Sequence, residues 1–252
     1  MRLASWGSEG LDIVNGNFAH RGGGAPGCPT ASRPACRPPP ARHRPSVPAR
    51  PASPVPFSAV LLAAGRSTRM GRDKALLRLR GRPLWRRQRE VLRAAGAGEL
   101  LLSGRADQGW TRRASGFAAV VRDPEPDGGP LGGIIAALET AAHERVAVLA
   151  IDLPCLPARW LAGLAADATA SRGVVGRRGR MFEPLAAVYP RSLLPLFREA
   201  WRRGDRALQP ILRRAVASGC MRVRRIGALE AAWFRNWNER GELIRPAGKA
   251  AG

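Results

Sequence analysis

The stretch Leu61-Leu62-Ala63-Ala64-Gly65-Arg66-Ser67-Thr68-Arg69-Met70-Gly71-Arg72-Asp73-Lys74 decides the fold. Its first residues belong to a continuous apolar run, Ala59–Ala64, the pattern of a strand buried on both faces, and Gly65 ends that run. A basic loop punctuated by glycine follows. Small side chains at Ala63, Ala64 and Gly65 let the backbone come close to a nucleotide, while Arg69 and Lys74 bring cationic donors to a phosphate chain. The loop is not of the Walker A kind, which needs Gly-Lys-Ser/Thr running straight into a helix, and it differs from the G-x-G-x-x-G dinucleotide turn. The plain alternative is an ordinary strand-to-helix loop with surface arginines.

Beyond this stretch, short apolar runs alternate with helical patterns, as in repeated βα units around a mostly parallel sheet. Leu84, Gln88, Val91, Leu92 and Ala95 share one helical face, with Pro83 at its start and Gly96 as a stop. Leu100–Ser103, Ala118–Arg122 and Val146–Ile151 read as strands, and Gly132–His143 as a helix opened by a glycine-rich turn. Leu153–Thr169 reads as loop and helix, Gly173–Gly176 and Leu185–Tyr189 as strands, and Ser192–Arg202 and Ala207–Ala217 as amphipathic helices. Val223–Ile226 and Trp233–Asn236 close the pattern. No solenoid period repeats, so the chain reads as one α/β domain.

Residues 1–57 are a different kind of polymer. They hold 11 of the 22 prolines and show neither helical nor alternating periodicity, which predicts a disordered Pro/Arg-rich tail ahead of a domain over 58–245 and a flexible end at 246–252. The formal charge is +23; seven Arg against Glu9 and Asp12 give the tail +5, leaving +18 for residues 58–252. Such a charge suits nucleic acid or a small anionic substrate. Because only Lys74 and Lys249 are lysines, arginine-favouring coding accounts for the excess more simply than a nucleic-acid partner does. Cys28, Cys36, Cys155 and Cys220 form no C-x-x-C pair and have no His at metal-ligand spacing, which argues against a structural zinc or a disulfide scaffold. No run has the length and apolarity of a signal core or a membrane span, and the expected location is cytoplasmic.

In an open parallel sheet, ligands bind beyond the carboxyl ends of the strands, so residues there are the candidates. Asp152 directly follows the apolar run Val146–Ile151, and a carboxylate there suits Mg²⁺, which takes one or two carboxylates together with substrate phosphates; a helix N-cap is the alternative. Asp123 stands at another strand end, able to accept from a base or ribose. Gly128–Gly133 offers backbone N–H groups at a helix start, which suits an anion. Asn236 and Asn238 offer two amides to a metal-bound phosphate or second substrate, and Glu183 and Asp205 are isolated acids in a basic chain. No convincing Ser/His/Asp or Cys/His arrangement exists: His143 reads as a surface or capping residue and Cys155 as a thiol packed in a loop.

In this order, Leu62–Lys74, Asp123, Gly129-Pro130-Leu131-Gly132-Gly133, Asp152-Leu153-Pro154, Glu183-Pro184-Leu185 and Asn236-Trp237-Asn238 resemble the molybdenum cofactor guanylyltransferase (MobA-like) family over about residues 58–245. The resemblance implies a Rossmann-like three-layer nucleotidyltransferase fold and transfer of GMP from GTP to the phosphate of molybdopterin, with Mg²⁺ and release of pyrophosphate. It implies Mg²⁺ coordination by Asp152, triphosphate contacts by Arg69 and Lys74, and a nucleotide site of Leu62, Ala63, Ala64, Gly65, Lys74, Ser103, Asp123 and Asp152. The acceptor side then falls to Glu183, Asp205, Asn236 and Asn238, and partners to molybdoenzymes or other cofactor-synthesis proteins. Two positions depart from the family pattern. Leu62-Ala63-Ala64-Gly65 resembles the cytidylyltransferases of the same superfamily, where guanylyl members usually carry Leu-Ala-Gly-Gly; and Ser103 stands where an Asn is common. Arg69–Lys74 and the Gly-Pro-Leu turn resemble the guanylyl side, which keeps GTP ahead of CTP. A cytidylyltransferase, or a transferase acting on a sugar phosphate, remains the alternative within the fold, and a basic nucleic-acid-binding protein the alternative outside it.

Overall fold

A computed structural model of the chain describes residues 55–65, 73–123 and 128–237. The expected tail up to residue 54, the flexible end at 246–252, Arg69 and Asn238 lie outside the described residues. In chain order the elements are β1 (Ser58–Leu62), a small hairpin of β2 (Arg78–Leu79) and β3 (Arg82–Pro83), α1 (Leu84–Ala94), β4 (Glu99–Ser103), β5 (Ala119–Val121), α2 (Gly129–Thr140), β6 (Arg145–Ala150), α3 (Ala158–Asp167), β7 (Gly173–Arg178), β8 (Met181–Pro190), α4 (Leu194–Arg202), α5 (Leu208–Ala217) and β9 (Met221–Arg225).

Seven strands form one sheet in the order β5-β4-β1-β6-β8-β7-β9. β1 lies between β4 and β6 and is parallel to both, with Val60 opposite Leu101 on one side and Val148 on the other. β8 alone is antiparallel to its neighbours, β6 and β7. The continuous apolar runs are explained by burial on both faces. Ala59, Leu61, Leu100, Leu102, Ala147 and Leu149 pack with Leu84 and Leu92 of α1 and Trp160 and Leu164 of α3. Their strand neighbours Val60, Leu62, Leu101, Val146 and Val148 pack on the opposite face with α2, Phe197 of α4 and Leu212 of α5. Helix, sheet and helix therefore form the three-layer α/β arrangement, mostly parallel, that the sequence implies. Each Val, Leu or Phe side chain among them taken out of water contributes roughly 1.5–3 kcal/mol before the entropy of ordering is charged against it.

α1 follows its apolar period, burying Leu84, Trp85, Gln88 and Leu92, and Gly96 just beyond takes the left-handed φ of +90° that stops it. α2 starts at Gly129, ahead of the expected Gly132, because Pro130 carries a φ already suited to the first helical turn. β7 and β8 run longer than their apolar cores suggest: Arg177, Arg178, Met181, Phe182 and Glu183 continue the pairing to a hairpin tip. After β9, Ala231–Phe234 form a single 3₁₀ turn, which sets Phe234 edge-on to Trp160 at 5.0 Å between ring centroids. Packing extends just ahead of β1. Phe57 is buried, and the Arg145 guanidinium donates to the carbonyls of Val55, Pro56, Ala165 and Ala168.

Candidate active site

The chain changes direction across the sheet on either side of β1, and there the carboxyl ends of β1, β4, β5 and β6 enclose a cavity of about 580 Å³. β1 contributes Leu62 and then Ala63, Ala64 and Gly65; Asp73 and Lys74 return to the same wall after the basic loop. β4 contributes Ser103 and, beyond it, Gly104, Arg105 and Asp107; β5 contributes Arg122 and Asp123; and β6 ends in Ile151 and Asp152. The first turn of α2 closes one side with Gly129, Pro130 and Gly133, and Leu185 of β8 closes another.

α2 lies directly on the strand ends, and its glycines explain how. A Cβ on Gly133 would stand 2.6 Å from Ser103 Oγ and 3.0 Å from Leu62 Cδ2, and one on Gly132 would stand 3.1 Å from Asp123 Cγ and 3.0 Å from Trp201 Cη2 of α4. Any side chain there would lift the helix from the cavity floor. The close approach also brings the Asp123 carboxylate next to the first turn of α2.

Asp152 sits in the turn after β6 and is half-buried. Burial pushes its carboxyl up from the ordinary carboxylate range, while the Lys74 ammonium and a backbone hydrogen bond at Asp152 itself pull it down. Two neighbours fix this turn. The wholly buried Gln88 of α1 donates from Nε2 to Leu153 O at 2.9 Å and to Ala150 O at 3.3 Å, and the Trp237 N–H donates to Asp152 O at 3.0 Å. The backbone bond at Trp237 brings Asn236 next to the Asp152 turn, although Asn236 does not line the cavity. Glu183 and Asp205 lie outside the lining as well. Glu183, two residues before Leu185 and half-buried, has its carboxyl pushed up by burial and held back by Arg178 at 3.7 Å. Asp205 is exposed and pairs with Arg203 at 3.5 Å.

The residues that sequence reasoning missed cluster after β4. Arg105, half-buried, donates to Ala64 O at 2.5 Å and pairs with Asp107 at 3.0 Å, so it forms cavity wall rather than free surface. The signal was available: Arg105 follows the strand end at Ser103 by two residues. A second cluster lies at the opposite, amino end of the strands. Ser58 Oγ is 2.5 Å from Glu99 Oε2 and 2.9 Å from His143 Nδ1, so His143 is tied to β1 instead of being a surface residue. Ser58 is wholly buried, and the cluster fastens β1, β4 and the segment after α2 without presenting a nucleophile. Cys155 is exposed, contrary to the expectation of a packed thiol.

Among the described residues, no three His, Cys, Asp or Glu side chains gather into a metal cluster. The half-buried Asp152 carboxylate, in a cavity that also holds Lys74, fits a hard cation that completes its shell with substrate phosphates and water, as Mg²⁺ does. Likewise, no helix among the described residues is long and apolar enough to cross a membrane.

Known proteins share this arrangement. Residues 59–219 match the MobA-like NTP transferase domain. The chain is 39% identical over 198 residues to "Probable molybdenum cofactor guanylyltransferase" of Opitutus terrae, covering 77% of this chain and 96% of that protein. It is 37% identical over 167 residues to a molybdenum cofactor guanylyltransferase of Pseudomonas putida, covering 65% and 86%. Among solved structures, molybdopterin-guanine dinucleotide biosynthesis protein A of Archaeoglobus fulgidus superposes with a TM-score of 0.61 at 21% identity, covering 74% of this chain and 94% of that one. A domain match over most of the folded chain, close relatives aligned nearly end to end and a shared fold agree: the chain belongs to the MobA-like NTP transferase family and is a nucleotidyltransferase.

Proposed function

We propose that the chain transfers GMP from GTP to the phosphate of molybdopterin, releasing pyrophosphate. The observation that carries this reading is the convergence of Lys74 and Asp152 on one cavity with Leu62–Gly65, Ser103, Asp123 and the α2 N-terminus. Apart from Ala64 and Ser103, those residues resemble the family's nucleotide-site motifs, and the relatives are named molybdenum cofactor guanylyltransferases. In this reading residues 58–245 are the catalytic domain.

The chemistry asks little covalent work of the protein. An oxygen of the acceptor phosphate attacks the α-phosphorus in line, forming one P–O bond as the bond to the β-phosphate oxygen breaks; the electrons leave with pyrophosphate. Ala63, Ala64 and Gly65 carry no bulk that would keep the nucleotide from the backbone. Lys74, joined by Arg69, neutralises the triphosphate, and the N–H groups of the first α2 turn offer a further positive pole. Asp123 and Ser103 accept hydrogen bonds from the nucleoside. Asp152 would hold Mg²⁺, whose charge offsets that building up on the phosphates. Asn236, Asn238, Glu183 and Asp205 are assigned to the acceptor.

Ala64 supports a second reading in which the base is cytosine, since the Leu-Ala-Ala-Gly order resembles cytidylyltransferases. Calorimetric titration of the full chain with GTP, CTP, ATP and UTP in the presence of Mg²⁺ separates the two, followed by pyrophosphate release with molybdopterin. Selective GTP binding and GTP-dependent release are expected. A preference for CTP would overturn the guanylyl assignment and leave the transferase reading intact.

A further inference from the structure

The loop after β4 grips both ends of the basic nucleotide loop. On the β1 side, Gln108 Nε2 donates to Ala63 O at 2.9 Å, and the Arg105 side chain donates to Ala64 O. At the far end, Asp73 Oδ2 accepts from both Gln108 Nε2 and Trp110 Nε1, each at 2.6 Å. Asp73 Oδ1 accepts the Ala75 N–H at 3.0 Å, capping the 3₁₀ turn Lys74–Leu76. The Asp73 carboxylate thus receives three donors. Its neighbour Lys74 leaves this cap as the first residue of the turn.

Gln108 is the centre of the arrangement. Its side chain is buried, its Oε1 accepts the Arg105 N–H at 2.7 Å, and its carbonyl accepts from Thr111 through both N–H and Oγ1. Gly104 lets Thr111 come this close: a Cβ there would stand 2.8 Å from Thr111 Cγ2. The Trp110 ring, in turn, stacks on Trp85 of α1 at 6.1 Å, so the grip is anchored on a packed helix. One buried amide therefore touches both the strand end before residues 66–72 and the carboxylate after them, and charge-assisted bonds of this length in a low-dielectric interior are the strong kind.

We propose that Gln108 and Trp110 are positioning residues. They hold Asp73 at a fixed distance from the end of β1 and so set Lys74 against the phosphate chain of a bound nucleoside triphosphate. The inference rests on the functional reading above for its ligand, and on the hydrogen bonds alone for its mechanics. Neither residue meets the nucleotide in this scheme; both act through Asp73 and Lys74. A lost grip costs affinity for the phosphate chain and leaves affinity for the nucleoside unchanged, a split that general destabilisation does not produce.

The test compares the parent chain with Trp110→Phe, which keeps the ring and removes its donor, with Gln108→Leu, and with Ser58→Ala as a control that disturbs the opposite end of the sheet. Hydrogen exchange is followed by mass spectrometry, and binding of Mg-GTP and of guanosine by calorimetry. In the first two variants, amide exchange in residues 73–79 is expected to quicken several-fold with α3 and α5 unchanged. Mg-GTP affinity should fall about tenfold, the size of one charge-assisted hydrogen bond, with guanosine affinity retained. The control should leave 73–79 and the GTP-to-guanosine ratio as in the parent chain. Unchanged exchange at 73–79, exchange quickened equally along the whole chain, or quickened exchange with undiminished GTP affinity would each overturn the proposal. A parent chain that binds no nucleoside triphosphate would remove the functional reading instead, and the exchange comparison would then decide by itself whether the grip holds Lys74. If Gln108→Leu fails to fold, Trp110→Phe carries the same comparison.

Discussion

Asp152 is held where its charge is costly to the fold. Burial raises its pKa in the folded chain, so between the unfolded value of about 3.9 and the raised folded value the native state binds the proton more tightly, and stability falls as pH rises through that window. Asp152→Asn is therefore expected to raise the unfolding temperature at neutral pH, with the advantage shrinking as pH drops through the window; scanning calorimetry at several pH values checks this. The same substitution, or Asp152→Ala, should lower transfer by about a hundredfold or more, as loss of one preorganised charge at a reacting phosphate does. Gly133 gives the steric counterpart. Gly133→Ala places a methyl against Ser103 Oγ and Leu62, and an overpacking cost of about 1–3 kcal/mol in chemical denaturation is expected, together with weaker nucleotide binding.

At the scale of elements, α1 has two tasks that its apolar period does not show. Leu84 and Leu92 pack it on the sheet, while Gln88, wholly buried on the same face, supports the Asp152 turn from beneath. Gln88→Leu keeps the volume and leaves the carbonyls of Ala150 and Leu153 without that donor. A loss of about 1–3 kcal/mol in urea unfolding is expected, with nucleotide binding weakened more in the presence of Mg²⁺ than in its absence. The sequence showed Gln88 on the buried face without showing what it touches, because a hydrogen bond between residues 62 and 65 positions apart leaves no periodic trace. Strand ends were legible wherever an apolar run stopped at a polar residue, as at Ser103, Asp123 and Asp152. The β7–β8 hairpin was half legible: in its outer part Arg177, Arg178 and Glu183 interrupt the apolar run, leaving Phe182 as the one buried apolar side chain there, so no continuous apolar signal extends that far. Arg105, Gln108 and Trp110 went unread for another reason. They lie in a loop and short 3₁₀ turn with no run of their own, and their meaning comes only from contact with Ala63, Ala64 and Asp73.

At the scale of the molecule, two apolar clusters on the faces of one sheet explain why a chain with so basic a composition has a well-packed interior. The positive charge is carried mostly by arginines at surface positions, several in ion pairs such as Arg198–Glu139 at 2.8 Å and Arg203–Glu199 at 2.9 Å. Exposed pairs of this kind contribute little to stability. A chain trimmed to residues 55–245 is accordingly expected to unfold in one cooperative transition within a few degrees of the full chain, and to bind GTP equally well; calorimetry of both forms decides. A large loss of nucleotide affinity on trimming would show that residues 1–54 take part in the site. Nucleic-acid binding that disappears on trimming would identify those residues as its source, since such binding follows local positive charge and falls steeply with salt.

The reversal of β8 divides the cleft into parts with different freedom to change. The residues we propose to meet the nucleotide follow the ends of parallel strands, and β1 among them is locked between β4 and β6, where a one-residue shift turns every side chain to the wrong layer. Because β8 runs against β6, the turn joining it to β7 emerges at the same rim as Asp152, with Leu185 at its base. That turn can lengthen or shorten without disturbing any register inside the sheet. Descendants of one ancestral chain can therefore keep the strand-end cavity fixed while the hairpin at its rim is remade, so diversification of this architecture is expected to concentrate in the hairpin.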